Sequence, residues 1–181
     1  LRRCKYNDAF VCISPGRKGQ SHYNADGLID IYGYEKESPT MSYIQIFPNG
    51  TIEATEIRLL NLDNTIYKWN ELESIVIEKI YEYCMGLYSL EIKTAFYISV
   101  SILNAKGKRT KIDPFGVLSN EIKTNLIKTP FVKWSVGESF QEAVFPILTT
   151  LAYTFGQERS YFYDENLNPR TEKFTFLHEF T

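Results

Sequence analysis

The stretch Ser42-Tyr43-Ile44-Gln45-Ile46-Phe47-Pro48-Asn49-Gly50-Thr51-Ile52-Glu53-Ala54-Thr55-Glu56-Ile57 indicates the fold most clearly. Two segments rich in β-branched and aromatic residues flank a Pro-Asn-Gly triplet, which is typical of a β-hairpin. Because Asn49 and Gly50 tolerate positive φ angles, we expect a two-residue type I′ turn, with Ile46 opposite Glu53. Both faces of this hairpin carry apolar side chains, so we expect it to be covered on more than one side.

Further strands are predicted on both sides of this hairpin. Residues 14–27 are rich in turn formers and predict a loop between strands near 9–13 and 28–34. Residues 94–103 alternate in polarity and predict a strand with one apolar face, formed by Phe96, Ile98, Val100 and Ile102. We expect a turn at 104–107 that leads into a returning strand at 108–112, irregular structure over 113–137 with one short strand or helical turn, and a last strand at 173–177.

Two helices are predicted from apolar residues at helical spacing. The first begins at Asn70, which forms a capping box with Glu73, and Gly86 closes its last turn. Its buried stripe is expected to consist of Leu72, Val76, Ile80, Tyr83 and Leu87. The second helix covers 138–155 and stops at Gly156, and it either kinks at Pro146 or restarts there with Pro146 in its first turn.

These elements predict an α+β fold, in which a mostly antiparallel sheet built from hairpins carries two main helices packed on it. The chain has 181 residues and is 44% hydrophobic, which suits a single domain over 1–181 with a substantial core. The chain begins at Leu1 rather than Met, so we expect it to be trimmed from a longer protein.

Charge and cysteine content narrow the classes of function. The formal net charge is −2, so no global field attracts the chain to nucleic acid or to an acidic membrane. Three cysteines at irregular spacing are typical of reduced thiols, and the sequence shows neither a secretory signal nor an apolar run long enough to span a bilayer. We therefore expect a cytoplasmic protein without membrane association.

The sequence contains no recognisable catalytic constellation. His22 and His178 are far apart and lack partners at the spacing of a catalytic dyad or a metal site. Residues 15–19 resemble a phosphate-binding loop but lack the Gly-Lys-Ser/Thr ending. We therefore predict a protein that is not an enzyme and has no catalytic, cofactor-binding or metal-binding residues.

Basic residues are concentrated between 105 and 133. This segment contains seven Lys and Arg residues and only two acidic residues, Asp113 and Glu121. Basic side chains that cluster on one face of a protein are able to contact phosphates. The candidate nucleic-acid contacts are Lys106, Lys108, Arg109 and Lys111, on the predicted hairpin. The alternative interpretation is a solvated hairpin tip with scattered surface lysines. Aromatic residues clustered at 153–163 fit either core packing or the binding of bases or a partner protein.

Two stretches together resemble a known family. Asn24-Ala25-Asp26-Gly27-Leu28 followed by the hairpin sequence 42–54, and later Val144-Phe145-Pro146, Phe155-Gly156, Ser160 and Tyr163-Asp164, are similar to the carboxy-terminal region of large bacterial proteins. Those proteins have an amino-terminal Schlafen-type, AlbA-like domain to which DNA binding is attributed. Pro48 departs from the family pattern, which tends to have Arg there. The resemblance implies that nucleic-acid binding belongs mainly to an upstream domain.

The leading hypothesis is therefore a non-catalytic accessory domain for self-association, partner binding or regulation within a bacterial DNA-binding regulator or defence-like protein. The alternatives are direct nucleic-acid contact through the basic segment 106–111 and a small-molecule sensor. Four polar residues of the familiar stretch, Asp26, Tyr43, Gln45 and Glu53, are expected either to line a cleft or to form a network that fixes the hairpin register.

Overall fold

The computed structural model describes residues 20–32, 42–55, 65–66, 69–111 and 118–180. Its contacts divide the chain into two compact units, residues 1–60 and residues 61–181. The single domain over 1–181 stays a prediction. The strand predicted near 9–13 and the phosphate-loop-like residues 15–19 lie outside the described residues.

The first unit contains a four-stranded antiparallel sheet of order β1-β2-β3-β4. Its strands are β1 (Gln20–Asn24), β2 (Gly27–Tyr32), β3 (Ser42–Ile46) and β4 (Ile52–Thr55). The prediction of a loop throughout 14–27 was wrong, because β1 lies inside it. A strand pairs through its backbone, so the polar sequence of β1 carries no apolar alternation that would reveal it.

The hairpin between β3 and β4 forms as predicted, but with a different turn and register. Ile46 lies opposite Ile52, and Gln45 lies opposite Glu53. The loop has three residues, because the Phe47 amide donates to the Thr51 carbonyl and the Gly50 amide donates to the Phe47 carbonyl. A two-residue turn would require an amide hydrogen from Pro48, which has none, whereas proline suits the second position of a type I turn. The predicted pairing of Ile46 with Glu53 was therefore wrong by one residue.

The second unit begins with the short strand β5 (Thr65–Ile66), followed by helix α1 (Trp69–Ser89). Because α1 begins before Asn70 and runs three residues past Gly86, the predicted capping box and stop were wrong. Glu73 turns into the protein instead of back to the helix start. Leu72 and Leu87 are buried as predicted, but the rest of the buried line is rotated and consists of Glu73, Ile77, Tyr81 and Cys84.

Helix α2 (Phe140–Thr154) confirms the second predicted helix, with Pro146 inside it. The Ser139 hydroxyl accepts the Glu142 amide and caps its first turn. Gly156, at a φ of 72°, donates its amide to the Tyr153 carbonyl and ends the helix, as predicted.

Between the helices, the described residues form five strands: β6 (Phe96–Ile98), β7 (Ser101–Leu103), β8 (Arg109–Thr110), β9 (Leu126–Lys128) and β10 (Val132–Trp134). β6 pairs with β10 and β7 with β9, both antiparallel, while β8 pairs in parallel with β5. The turn predicted at 104–107 forms, since the Lys108 amide donates to the Ala105 carbonyl, but the predicted hairpin was wrong, because β7 does not pair with β8. The Ala105 and Gly107 amides instead donate to the carbonyls of Asn125 and Ile122. The stretch 113–137, predicted to be largely irregular, thus supplies two strands.

The core of the second unit is aromatic. Tyr81 and Trp134 both pack against Phe140, with ring centroids 4.9 and 5.0 Å apart. Phe176 joins this cluster from the tail and Phe174 packs on Phe176, and two 3-10 helices, Thr171–Lys173 and Thr175–Phe180, replace the strand predicted at 173–177. Of the aromatic residues at 153–163, Phe155, Phe162 and Tyr163 are buried, which confirms core packing for most of that group. The predicted α+β fold class, with a mostly antiparallel sheet and two helices, is confirmed.

Candidate nucleic-acid interface

The strands between the helices combine into one long antiparallel ribbon, formed by residues 96–111 and 118–134. Pairing continues beyond β7 and β9 through the Ser119 amide, which donates to the Thr110 carbonyl at 2.8 Å, and through a bridge between Lys111 and Leu118. The strand 96–103 alternates strictly in burial, because every second side chain of a strand points to the same face. Phe96, Ile98 and Ile102 are buried, which confirms the predicted apolar face, with Val100 half-buried on it.

The opposite side of the ribbon is exposed and carries large apolar and cationic side chains. We call this surface the outer face; it consists of Tyr97, Ser101, Leu103, Leu126, Lys128, Phe131 and Lys133. Tyr97 lies directly opposite Lys133, Ser101 opposite Lys128, and Leu103 opposite Leu126. Tyr97 is 72% exposed, Phe131 78% and Leu103 60%. Exposed apolar side chains that adjoin one another mark interaction surfaces more often than scattered single ones do.

Phe131 is exposed because the ribbon contains a β-bulge. Ile98 pairs with Val132 and Ser101 with Lys128, so three residues on one strand face two on the other. The Thr129 hydroxyl accepts the Val100 amide at 2.9 Å and replaces a backbone acceptor at this point. The extra residue shifts the alternation of buried and exposed side chains along 128–133 by one position. Phe131 is therefore exposed to solvent, at a position between Lys128 and Lys133 in the sequence.

The predicted contact residues Lys106, Lys108, Arg109 and Lys111 lie on this ribbon and not at a hairpin tip. Lys106 is exposed at the kink formed by 104–107, where Asn104 and Gly107 have φ angles of 55° and 82°. Lys108 is half-buried. Arg109 contacts Glu121 at 3.8 Å, and Lys111 is exposed beside Leu118. Sequence reasoning missed Tyr97, Phe131 and the pairing of lysines with exposed rings, because only the strand register brings these side chains together.

The polar residues Asp26, Tyr43, Gln45 and Glu53 lie in the first unit. Tyr43, Gln45 and Glu53 share one face of the sheet, since their positions alternate along β3 and β4. The Tyr43 hydroxyl donates to the Glu53 carboxylate, and this hydrogen bond is the main cause of the raised pKa of Tyr43. The Gln45 side-chain Oε1 accepts a hydrogen bond from the Asn24 side-chain amide at 3.0 Å.

Asp26 belongs to the turn between β1 and β2, and its backbone amide donates to the Asn24 side chain at 2.9 Å. Its side chain is exposed and does not join the Tyr43–Glu53 pair. Asn24 and Gln45 meet across β2 at Gly27, where a side chain would lie 2.2 Å from the Ile46 carbonyl oxygen. Tyr43, Gln45 and Glu53 therefore take part in side-chain hydrogen bonds between strands, whereas Asp26 takes part through its backbone amide, and the register-fixing network of all four residues stays a prediction. Their role in a ligand cleft stays a prediction.

One buried carboxyl lies in the second unit. Glu73 is fully buried, and its Oε2 accepts the Tyr161 amide at 2.8 Å, while its Oε1 has no hydrogen-bond partner among the described residues. Burial raises the pKa of Glu73 to about 8, against the hydrogen bonds from Ser160 and Tyr161, which act in the opposite direction. Burial also raises the pKa of the Cys84 thiol to about 12 and the pKa of Tyr163. Tyr163 donates its hydroxyl to the Gln141 carbonyl.

Within the described ranges, no three His, Cys, Asp or Glu side chains are placed to hold a metal ion. Asp164 accepts amides from Asn166 and Asn168, each at 2.8 Å, so its carboxylate closes its own loop. The side chains of His22 and His178 are outside what the structure describes. In the described part of the chain, neither helix has the length and apolarity needed to cross a bilayer.

Comparison with known proteins gave no relative. No family model, curated protein or solved structure matches the chain. The similarity to proteins with a Schlafen-type, AlbA-like domain stays a prediction from the sequence.

Proposed function

We propose that the chain is a non-catalytic accessory domain that contacts nucleic acid through its ribbon. The observation that supports this proposal is the charge of one structural element. Residues 96–134 contain seven Lys and Arg residues but only Asp113 and Glu121 as acids, although the whole chain has a net charge of −2. At physiological salt, charges interact over only about 8 Å before they are screened. A nearby phosphate backbone is therefore attracted by this local positive charge and is little affected by the net charge of the whole chain.

The distribution of the cations along the ribbon supports a shared contact. Lys128 and Lys133 are exposed on the outer face, and Lys106, Lys111 and Lys123 are exposed farther along the same ribbon. Arg109 is partly neutralised by Glu121, so it contributes less than its charge suggests. The predicted contact segment 106–111 is therefore one end of a longer basic element, and the outer face lies nearer the other end.

The proposal is tested by fluorescence anisotropy of labelled oligonucleotides titrated with the full chain between 50 and 200 mM salt. We expect affinity to fall with salt, and Lys128→Ala and Lys133→Ala each to lower the slope of log K against log salt by about one. Lys79→Ala is the matched control, because Lys79 is a helix α1 residue that pairs with Glu82. The absence of binding at 50 mM salt would contradict the proposal.

A second candidate function is self-association, which the directly opposed, exposed pair Leu103–Leu126 favours. Lys128 and Lys133 oppose it, because a symmetric pairing of outer faces brings like charges together. Sedimentation equilibrium distinguishes the two: a dimer that Leu103→Ser abolishes supports self-association, and a strict monomer excludes it. We further propose that in the parent protein this domain assists an upstream DNA-binding module, as the family resemblance implies.

A further inference from the structure

We infer that the outer face binds a single nucleic-acid strand, with bases stacked on Tyr97 and Phe131 and phosphates held by Lys128 and Lys133. This inference rests on the proposed nucleic-acid contact and names the form of nucleic acid and the side chains that select it. The two rings, the two ammonium groups and the bulge between them are its structural basis.

The two rings are available for stacking. Tyr97 is 72% exposed and Phe131 is 78% exposed, and neither contacts another ring among the residues that the structure describes. The remaining ribbon aromatics, Phe96 and Trp134, are buried and stack on each other at 5.9 Å. Stability of the fold therefore accounts for the inner rings but not for the outer ones. A flat exposed ring stacks on any base, because every base offers a π face.

The cations are placed where a stacked strand carries its charge. Lys133 lies directly opposite Tyr97, and directly opposed side chains in an antiparallel pair begin about 5 Å apart. Lys128 precedes the bulge that exposes Phe131. Each ring thus shares the outer face with a lysine that is directly opposite it or a few residues away, so that a base and its adjoining phosphate would be contacted together. None of the seven outer-face residues is acidic, so no side chain of this surface neutralises the two lysines.

The chemistry of the outer face favours a single strand over a duplex. A two-stranded ribbon fits the major groove of DNA, but readout there requires side chains that form hydrogen bonds with base edges. The outer face instead offers Tyr97, Phe131, Leu103 and Leu126, with Ser101 as its short polar residue. Duplex bases are already stacked on one another, so the rings have no open base to bind. A protein partner is disfavoured by the two exposed lysines, because lysine is depleted at protein–protein interfaces.

The experiment compares a labelled 12-nucleotide single strand with a duplex of equal length, using the full chain at 50 mM salt. We expect the single strand to bind more tightly than the duplex. Tyr97→Ala and Phe131→Ala are each expected to weaken single-strand binding roughly tenfold or more and to leave the salt slope unchanged. Lys128→Ala is expected to lower the slope instead. Tyr97→Phe keeps the ring and is expected to bind like the unaltered chain.

Tyr153→Ala is the matched control, because Tyr153 is 63% exposed but lies on helix α2. Equal or tighter binding of the duplex, or unchanged affinity in Tyr97→Ala and Phe131→Ala, would overturn the inference. If salt-dependent binding persists in that case, the proposed function stands without it. Binding of neither nucleic acid removes both, and an acidic peptide that binds through the same residues would assign the face to a protein partner.

Discussion

At the scale of single residues, Glu73 shows how burial decides a role that sequence spacing misassigns. Its distance of three residues from Asn70 is typical of a capping box. In the structure its carboxyl lies in the interior and receives the Tyr161 amide, which links helix α1 to a loop 88 residues away. Because burial penalises the charged form, this carboxyl keeps its proton to a higher pH than an exposed carboxyl does.

We predict that Glu73→Gln weakens the pH dependence of stability. The folded chain retains the Glu73 proton up to a pKa of about 8, whereas the unfolded chain loses it near 4.5, so the free energy of unfolding falls as pH rises between these values. The slope approaches about 1.4 kcal/mol per pH unit for a fully buried group. We therefore expect the variant to gain at least about 2 kcal/mol, relative to the unaltered chain, between pH 5 and pH 8.

Urea denaturation followed by tryptophan fluorescence measures this difference, since both Trp69 and Trp134 lie in the second unit. All other titrating groups are common to the two proteins and cancel in the comparison. A stability difference that stays constant from pH 5 to pH 8 would show that Glu73 does not titrate differently on folding.

At the scale of elements, strand register in the first sheet depends on backbone groups at two positions, Pro48 and Gly27. Pro48 cannot donate an amide hydrogen, so the β3–β4 loop takes three residues and every later pair moves by one position. Gly27 starts β2 at a φ of 131°, with its Cα close to the Ile46 carbonyl. Hairpin existence is thus readable from the sequence, but register depends on single backbone groups.

Gly27 and Gly50 form a matched pair for testing this point. Gly50→Ala is expected to cost about 1 to 2 kcal/mol, because its φ of 85° is left-handed but the space around it is open. Gly27→Ala adds a clash, since the new carbon would lie 2.2 Å from the Ile46 oxygen, and is expected to destabilise the sheet by more than about 3 kcal/mol. Hydrogen exchange of the β3 amides reports the loss, and equal protection in both variants would contradict the close approach at Gly27.

In the ribbon, the buried face of residues 94–103 was predictable from the sequence, but the strands that pair with them were not. Alternation along 94–103 identifies the buried face without any partner. The partner segment 118–134 contains the strands β9 and β10 with a bulge between them. The bulge interrupts the alternation of buried and exposed side chains, so the sequence of this segment resembles irregular structure. The basic residues could be counted from the sequence, but the pairing of Tyr97 with Lys133 could not.

At the scale of the whole molecule, contacts separate residues 1–60 from residues 61–181. The rings of Tyr81, Trp134 and Phe140, which pack on one another, all belong to the second unit. A unit with its own core is able to fold alone. The single domain predicted from length and composition is therefore tested by producing the second unit alone.

We predict that residues 61–181 fold when produced separately. Trp134, which is 3% exposed in the full chain, is expected to keep the blue-shifted fluorescence of a buried indole, and the fragment is expected to unfold cooperatively. Circular dichroism and fluorescence during thermal denaturation provide the measurement. A fragment that is unfolded at 25 °C would instead show that the chain is one cooperative domain over 1–181.

The sequence by itself determined the α+β class, the β3–β4 hairpin, both helices and the apolar face of Phe96, Ile98 and Ile102, because these follow from local propensity and periodicity. Only the tertiary structure decided the partner of each strand, the direction of Glu73 and the placement of the basic residues. The physical reason is that strand pairing and burial bring together residues that are far apart in the chain. The backbone N–H and C=O groups of a strand need a partner strand, and no local sequence pattern identifies which strand that is. The outer face, formed by two strands that meet across a bulge, belongs to this second group.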